Sequence, residues 1–207
     1  AGGGAADAPD TSLDLAVEDE GEGAGGPGHR HTKSPSHPLT ADALYGKAEL
    51  LRQRRENDAS VELQEASLAM RRTFVKSSHV CISDNLVSIA EALRYENRFN
   101  KAESLLLKAL QIRENAFNFE DYTHPSVSEA KCALAMLYYS MGKYLECLPL
   151  YKSSLYERQR LLGPSHIATA QSLNNYAGLL HTTGKFHDAL PLYRKALKIK
   201  IGTFGEQ

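Results

Sequence analysis

The sequence predicts an all-α protein, a solenoid of four stacked helix pairs preceded by a disordered tail, and three observations carry that prediction. The stretch GKYLECLPLYKSSL at 142–155 returns as GKFHDALPLYRKAL at 184–197, an offset of 42 residues. Three columns of small residues keep this register further upstream: Ala48, Ala90, Ala135 and Ala177; Ser60, Ala102, Cys147 and Ala189; Ser67, Ala109, Ser154 and Ala196. Their steps are 42, 45 and 42 in every column. Large apolar residues such as Leu86, Ile89 and Leu93, or Leu148, Tyr151 and Leu155, recur at three, four and seven, the spacing of one helix face. A fixed period means units that bury their apolar faces on one another rather than in one closed core. The small columns have a place in such a stack, because helix axes ~8–10 Å apart leave no room for larger groups at the closest contacts.

Residues 1–39 hold eight of the fifteen glycines and seven acids against two bases, too little apolar surface to offset the entropy of ordering. They read as a disordered tail. Within it, Leu13 to Val17 followed by Glu18, Asp19, Glu20 and Glu22 is either a short binding segment or a solvated spacer. His29, His31 and His37 are expected to be incidental, since a flexible tail offers a metal no geometry.

The repeat region, 40–207, divides into units at about 41–78, 79–123, 124–165 and 166–207. Thr40 is the expected first N-cap, with helices at about 41–55 and 58–74. This unit departs most from the pattern. Lys47 and Gln64 stand where later units are apolar, which suggests a terminal repeat whose outer face is a polar cap. The second unit is expected at about 82–96 and 99–116, and its following connector carries the extra three residues of the 45-residue step together with Phe117, Phe119 and Tyr122. Those rings are expected to pack on a neighbouring helix. The third and fourth units are expected at about 125–141 with 144–161, and 167–183 with 186–202. Gly142 and Gly184 fall where a helix must stop in a positive φ, and Pro149 and Pro191 fall early in the second helices.

LNNYAGLLHTTGKFHDALPLYRKALKIK (173–200) and the connector LLGPSH (161–166) resemble tetratricopeptide repeats of the kinesin-light-chain type, lengthened to about 42 residues from the usual ~34. The likeness covers roughly 42–207. It implies a right-handed α-solenoid of four tetratricopeptide-type helix pairs, with the first helix of each unit lining a concave groove that holds an extended segment of a partner protein. Carried onto this sequence, the groove residues are Asp42, Tyr45, Glu49 and Arg52; Asp84, Val87, Glu91 and Arg94; Glu129, Cys132, Met136 and Tyr139; Gln171, Asn174, Gly178 and His181, with Asn175 beside them. Glu49 and Glu91 stack one repeat apart with Asp42 and Asp84 nearby, so the first half of the groove is expected to favour Lys or Arg of a partner, with Arg52 and Arg94 neutralising part of this field. Met136 and Tyr139 suit an apolar anchor, and Asn174 and Asn175 suit an extended backbone.

The chemistry of enzymes is missing from the sequence. It has no phosphate loop, HExxH, nucleophile elbow or CxxC pair, so no catalytic residue and no cofactor is assigned. His79, His124 and His166 recur at the connectors but lie a repeat apart, too far to share a metal, and are expected to serve turns and caps. Cys81, Cys132 and Cys147 read as reduced thiols of a cytoplasmic protein. A body excess of four positive charges is too slight for nucleic acid, and no apolar run is long enough for membrane insertion.

The expected role is therefore a non-enzymatic scaffold or adaptor, of cargo or motor type. The alternatives are the sensor or assembly segment of a larger signalling protein and a structural component of a cytoskeletal assembly. Thr203 to Gln207 aligns with Leu161 to Ser165, so the chain is expected to be a fragment cut before a further repeat. Leu192, Ile199, Ile201 and Phe204 are then partly exposed, and self-association through this end is expected.

Overall fold

A computed structural model describes residues 37–117 and 124–205, all within the compact unit Pro35–Gln207. The tail segment Leu13 to Glu22, the histidines His29 and His31, and the connector rings Phe119 and Tyr122 lie outside the described residues. Among the described residues every regular element is an α-helix: α1 (Pro38–Gln53), α2 (Asn57–Arg71), α3 (Val80–Tyr95), α4 (Phe99–Phe117), α5 (Pro125–Ser140), α6 (Tyr144–Leu162), α7 (Ile167–Thr182) and α8 (Phe186–Phe204).

The odd helices all begin on a histidine. His37, His79, His124 and His166 have extended backbone, and each Nδ1 accepts the amide two residues on, at 3.2, 3.3, 3.3 and 3.1 Å. One orphan donor of each first turn is thereby satisfied. This corrects two expectations: α1 is capped by His37 rather than Thr40, and His37 is the first member of the histidine column rather than an incidental tail residue. Phe117 stacks on His124 with ring centroids 4.0 Å apart.

The odd helices also end alike, on Arg55, Asn97, Gly142 and Gly184 at φ 64, 60, 72 and 76°. In each case the next amide reaches back five residues, as from Lys143 to the Tyr138 carbonyl at 2.9 Å and from Lys185 to Leu180 at 2.8 Å. That double closure satisfies the last carbonyls and reverses the chain. Pro149 and Pro191 sit inside α6 and α8, past the first turn, so each removes a real helical hydrogen bond. The carbonyls left over belong to Leu145 and His187, both exposed residues.

Each odd helix packs on the even helix that follows it, and each even helix on the next odd one. Consecutive odd helices also touch, α1 with α3, α3 with α5 and α5 with α7, whereas consecutive even helices do not. The odd helices therefore lie on the inside of the curve. All twelve residues of the small columns are buried, with the serines donating to opposing carbonyls: Ser60 to Ala48, Ser67 to Ala41 and Ser154 to Ser128, at 2.8 to 2.9 Å. A hydroxyl fits where a methyl would, provided the facing helix supplies an acceptor.

The first unit differs from expectation. Gln64 is completely buried rather than part of a polar outer cap. Its amide donates to Ser88 Oγ at 2.9 Å and its oxygen accepts from Asn85 at 2.7 Å, so polar side chains of α3 complete what Leu106 and Tyr151 achieve by packing in the next two units. Lys47 is exposed as expected, but Leu39 and Leu50 on the same helix are 71% and 62% exposed, so the outer side of α1 is only partly polar.

Candidate functional site

The inner surface formed by α1, α3, α5 and α7 has two halves of different chemistry. In the first, Arg52 is clamped between two glutamates, its guanidinium 2.7 Å from Glu49 Oε2 and 2.7 Å from Glu91 Oε2. Glu49 spends its other oxygen on Ser88 and Gln64. The clamp ties α1 to α3 across the unit boundary. Burial pushes the Glu91 carboxyl above the usual carboxylate range despite the opposing charge of Arg52. The acidic field expected from Glu49 and Glu91 is therefore largely neutralised within the protein, because one guanidinium reaches both.

Asp42, Asp84 and Glu129 have a comparable structural duty. Arg71 is buried, donates to Asp42 at 2.7 Å, and reaches forward to the Cys81 carbonyl and Asn85 Oδ1 of α3, both at 2.7 Å. One repeat later Arg113 donates back to Asp84 at 2.8 Å and Ser83 at 2.9 Å on α3, and reaches forward to the Ser126 carbonyl and Glu129 of α5. Arg158 repeats the forward contacts, to the Ala168 carbonyl at 3.1 Å and Ser172 at 3.0 Å. Each arginine leaves an even helix and stitches the next odd helix. Tyr45 lies under Arg71, 5.0 Å from guanidinium to ring centroid, and burial and then Glu49 push its hydroxyl up to about 12. The arginine column was legible in the sequence, since positions 71, 113, 158 and 200 follow the 42, 45 and 42 steps with Lys200 as the last member.

The second half holds an open cleft of about 340 Å³ lined by Arg94 and Tyr95 of α3, Met136, Tyr139 and Ser140 of α5, Asn174, Asn175 and Gly178 of α7, and Tyr151 and Tyr193 from below. It brings together Arg94, Met136, Tyr139, Asn174 and Asn175 from three units. Sequence reasoning missed Tyr95 and Ser140, and assigned Tyr151 and Tyr193 to packing alone. The signal for those two was Gly178, at the position of Glu49, Glu91 and Met136 in the other units. A Cβ at Gly178 would lie 3.6 Å from the Tyr193 hydroxyl, so the missing side chain is what uncovers that ring.

Within the cleft the polar groups are unequally committed. Tyr139 shares a hydrogen bond of 2.7 Å with Thr182. Asn175 donates to Cys132 Sγ at 3.4 Å and accepts from Gln171 at 3.2 Å. Asn174 makes no side-chain hydrogen bond among the described residues, so its amide donor and acceptor are both available. Among the described lining residues Arg94 alone carries a formal charge; it donates to Ser140 at 3.2 Å and covers the Tyr95 ring at 4.3 Å. His181 is separate from the cleft, exposed and edge-on to Phe186 at 5.2 Å. Below the floor, Cys132 and Cys147 are buried free thiols, and burial pushes Cys147 up to about 12.

A stack of helix pairs with an inner cleft drawn from three successive units defines a repeat solenoid of the protein-binding kind. The chain belongs to the tetratricopeptide repeat family, whose model matches residues 39–115 and 126–201. Several solved structures share the fold. The nearly identical TPR-like repeats of a Podosopora anserina protein assigned as a kinesin light chain are 20% identical, with 84% of this chain and 82% of that one covered and a TM-score of 0.61. BtubC (BKLC) from P. vanneervenii is 18% identical over 83% of this chain and 67% of its own, at a TM-score of 0.66. A Rap protein complexed with competence and sporulation factor is 17% identical over 78% of this chain and 43% of its own, at 0.69. No curated protein sequence matches the chain significantly. The fold is thus a right-handed tetratricopeptide solenoid with kinesin-light-chain-like neighbours. No helix among the described residues is long and apolar enough to cross a membrane.

Proposed function

We propose that the chain is a non-enzymatic adaptor or scaffold that holds an extended segment of a partner protein in the cleft between α3, α5 and α7. The observation that carries this reading is the cleft itself. It is open, spans three units, and offers aromatic and thioether surface around one uncommitted asparagine and one arginine. A bulky apolar or aromatic side chain fits the space over Gly178, between Met136 and the tyrosine rings. The Asn174 amide can pair with the backbone of the segment, as its donor and acceptor match a peptide unit. Arg94 favours an acidic neighbour of the anchor. The acidic first half expected to attract Lys or Arg is not part of the proposal, because Arg52 already occupies Glu49 and Glu91. Asp42, Tyr45 and His181 belong to the wider groove along which a longer segment could run.

Kinesin-light-chain-like neighbours support a cargo or motor adaptor in the cytoplasm, attached to the cytoskeleton through its partner. The Rap likeness supports a second reading, a sensing segment of a larger signalling protein, since that structure carries a bound factor and this chain matches less than half of it.

Selection of displayed random peptides on the protein tests the cleft. Selected peptides are expected to combine an aromatic or large apolar residue with an acid. Gly178→Met fills the space with the residue α5 carries at that register and is expected to weaken them at least ~tenfold, while Arg94→Glu shifts the selected charge from acidic to basic. Peptides indifferent to both substitutions would place the binding surface elsewhere.

A further inference from the structure

The excess positive charge of the repeat region is concentrated in its last unit. Between residues 166 and 205 stand Lys185, Arg194, Lys195, Lys198 and Lys200 against Asp188 alone, and α7 contributes no Asp, Glu, Lys or Arg. Upstream, Arg52, Arg71, Arg113 and Lys131 are each held 2.6 to 2.8 Å from a carboxylate. Among the described residues no cation of α8 is so paired. Lys195 and Lys198, one turn apart on α8, border an open groove of about 440 Å³ against Pro164 and Ser165 of the connector between α6 and α7, with Ile199 and Gly202 in its wall. Gly202 helps to keep it open, since a Cβ there would meet nothing within 4 Å.

Neither packing nor helix electrostatics calls for these two lysines. Their counterparts on α6 are Ser153 and Tyr156, so the repeat does not require a long cation there. Neither lies in the last turn of α8, where a cation would answer the helix dipole. No carboxylate borders the groove, and Asp188 sits seven residues before Lys195, ~10 Å along the helix axis, about one screening length away in physiological salt. The groove is also distinct from the face of α8 that a following unit would cover. On α6 the residues that meet α7 are Leu148, Leu155 and Arg158, which correspond to Leu190, Leu197 and Lys200. The counterparts of Arg194 and Lys198, namely Lys152 and Tyr156, stay exposed with α7 and α8 stacked beside them. Access to the groove is therefore the same whether or not a further unit follows.

We propose that this groove is a second docking site, which takes an acidic segment of a partner protein. The two ammonium groups have no counter-charge in the protein and repel each other, and the Ser165 hydroxyl makes no hydrogen bond among the described residues. A carboxylate seated between the lysines replaces that repulsion with charge-assisted contacts. Lysine is a compact point charge without the fork geometry of arginine, so Asp and Glu serve equally. Arg194, beside Lys195, extends the field along α8 and favours a run of acids over a single one. Nucleic acid fits poorly, because no aromatic side chain borders the groove for a base to stack on. The groove shares no lining residue with the inner cleft, so it is independent of the function proposed for that cleft.

Fluorescence anisotropy of a labelled oligoglutamate peptide with the whole chain tests the site. The peptide is expected to bind, more weakly as salt rises, and Lys195→Glu combined with Lys198→Glu should weaken it at least ~tenfold. Gly202→Leu leaves every charge in place but fills the groove, and should weaken binding about fivefold. Lys185→Glu removes the same charge outside the groove and should cost less than about twofold. All these positions are exposed, so helicity should be unchanged in each variant. Equal losses from Lys185→Glu and Lys198→Glu, or no loss in Gly202→Leu, would mean that the peptide follows net charge rather than the groove, and would overturn the proposal. So would loss of the peptide in Gly178→Met, which places it in the inner cleft, or lysine-dependent binding to phosphatidylserine vesicles with none to the peptide.

Discussion

Lys131 Nζ lies 2.6 Å from Glu157 Oε1, joining α5 to α6 at a pair of positions where the other units place Leu44 and Met70, Leu86 and Ile112, and Leu173 and Ile199. Glu157 also accepts from Ser153 at 2.9 Å, but its second oxygen is buried without a partner. Removing one member of such a pair strands the other, whereas replacing both with hydrocarbon removes the desolvation penalty. Lys131→Leu alone is expected to cost about 3 kcal/mol, and the double change Lys131→Leu with Glu157→Ile to stabilise by about 1–4 kcal/mol. Urea denaturation of the single and double variants measures both. A double variant no better than the single would show that the pair is well solvated.

Arg113 is the most deeply buried member of the arginine column, 2% exposed, and its planar guanidinium holds α3, α4 and α5 together through four contacts. Arg113→Met leaves Asp84 without its cation and the Ser126 carbonyl without its donor, at an expected cost of about 3–5 kcal/mol. Arg113→Lys should recover little of that, because an ammonium cannot span the same acceptors. Recovery to near the parent stability in thermal melts would mean that charge, rather than geometry, is what the site requires.

Glu91 makes stability depend on pH in a direction opposite to most paired carboxylates. Burial raises its folded pKa above the unfolded value, with Glu49 and Glu129 adding to the rise and Arg52 and Arg94 opposing it. The folded state therefore binds the proton more tightly than the unfolded one. Its contribution to stability is fully present below the unfolded pKa and is lost as pH rises through the folded pKa. In denaturant titrations from about pH 4 upward, the parent is expected to lose stability relative to Glu91→Gln, then to run parallel to it above the folded pKa. A difference that grows the other way would mean that Arg52 dominates.

Arg55 holds the left-handed conformation, φ 64°, that Gly142 and Gly184 adopt at the equivalent turns. A side chain in that region is strained, and nothing in the turn compensates for it, since Arg55 is exposed. Arg55→Gly is expected to stabilise the first unit by about 0.5–1 kcal/mol after the added freedom of the unfolded chain is deducted. Amide exchange at the α1–α2 turn should slow accordingly.

Period, helix order and small-residue columns were all legible in the sequence, because helix packing imposes volume limits that recur at every unit and need only local register to be read. Ala48, Ala90, Ala135 and Ala177 reveal the stack without any knowledge of what faces them, and all four prove completely buried. The histidine caps and the left-handed turns at Gly142 and Gly184 were legible for the same reason, whereas Arg55 and Asn97 carry no glycine to mark theirs and the place of His37 in the column was hidden by the composition of the tail around it.

Only the tertiary structure decided which polar side chains meet. Gln64 looked like a solvent-facing substitution, yet Asn85 and Ser88 arrive from α3 to satisfy it, and the burial that would have been costly becomes harmless. Glu49 and Glu91 read as an acidic field that arginines offset only in part, yet the Arg52 guanidinium lies 2.7 Å from both. The cleft is of the same kind, because Tyr151 and Tyr193 reach it through space that Gly178 leaves open. Periodicity reports which face of a helix is turned inward, but hydrogen bonds and ion pairs depend on distances between residues tens of positions apart, and those are fixed only when the units stack.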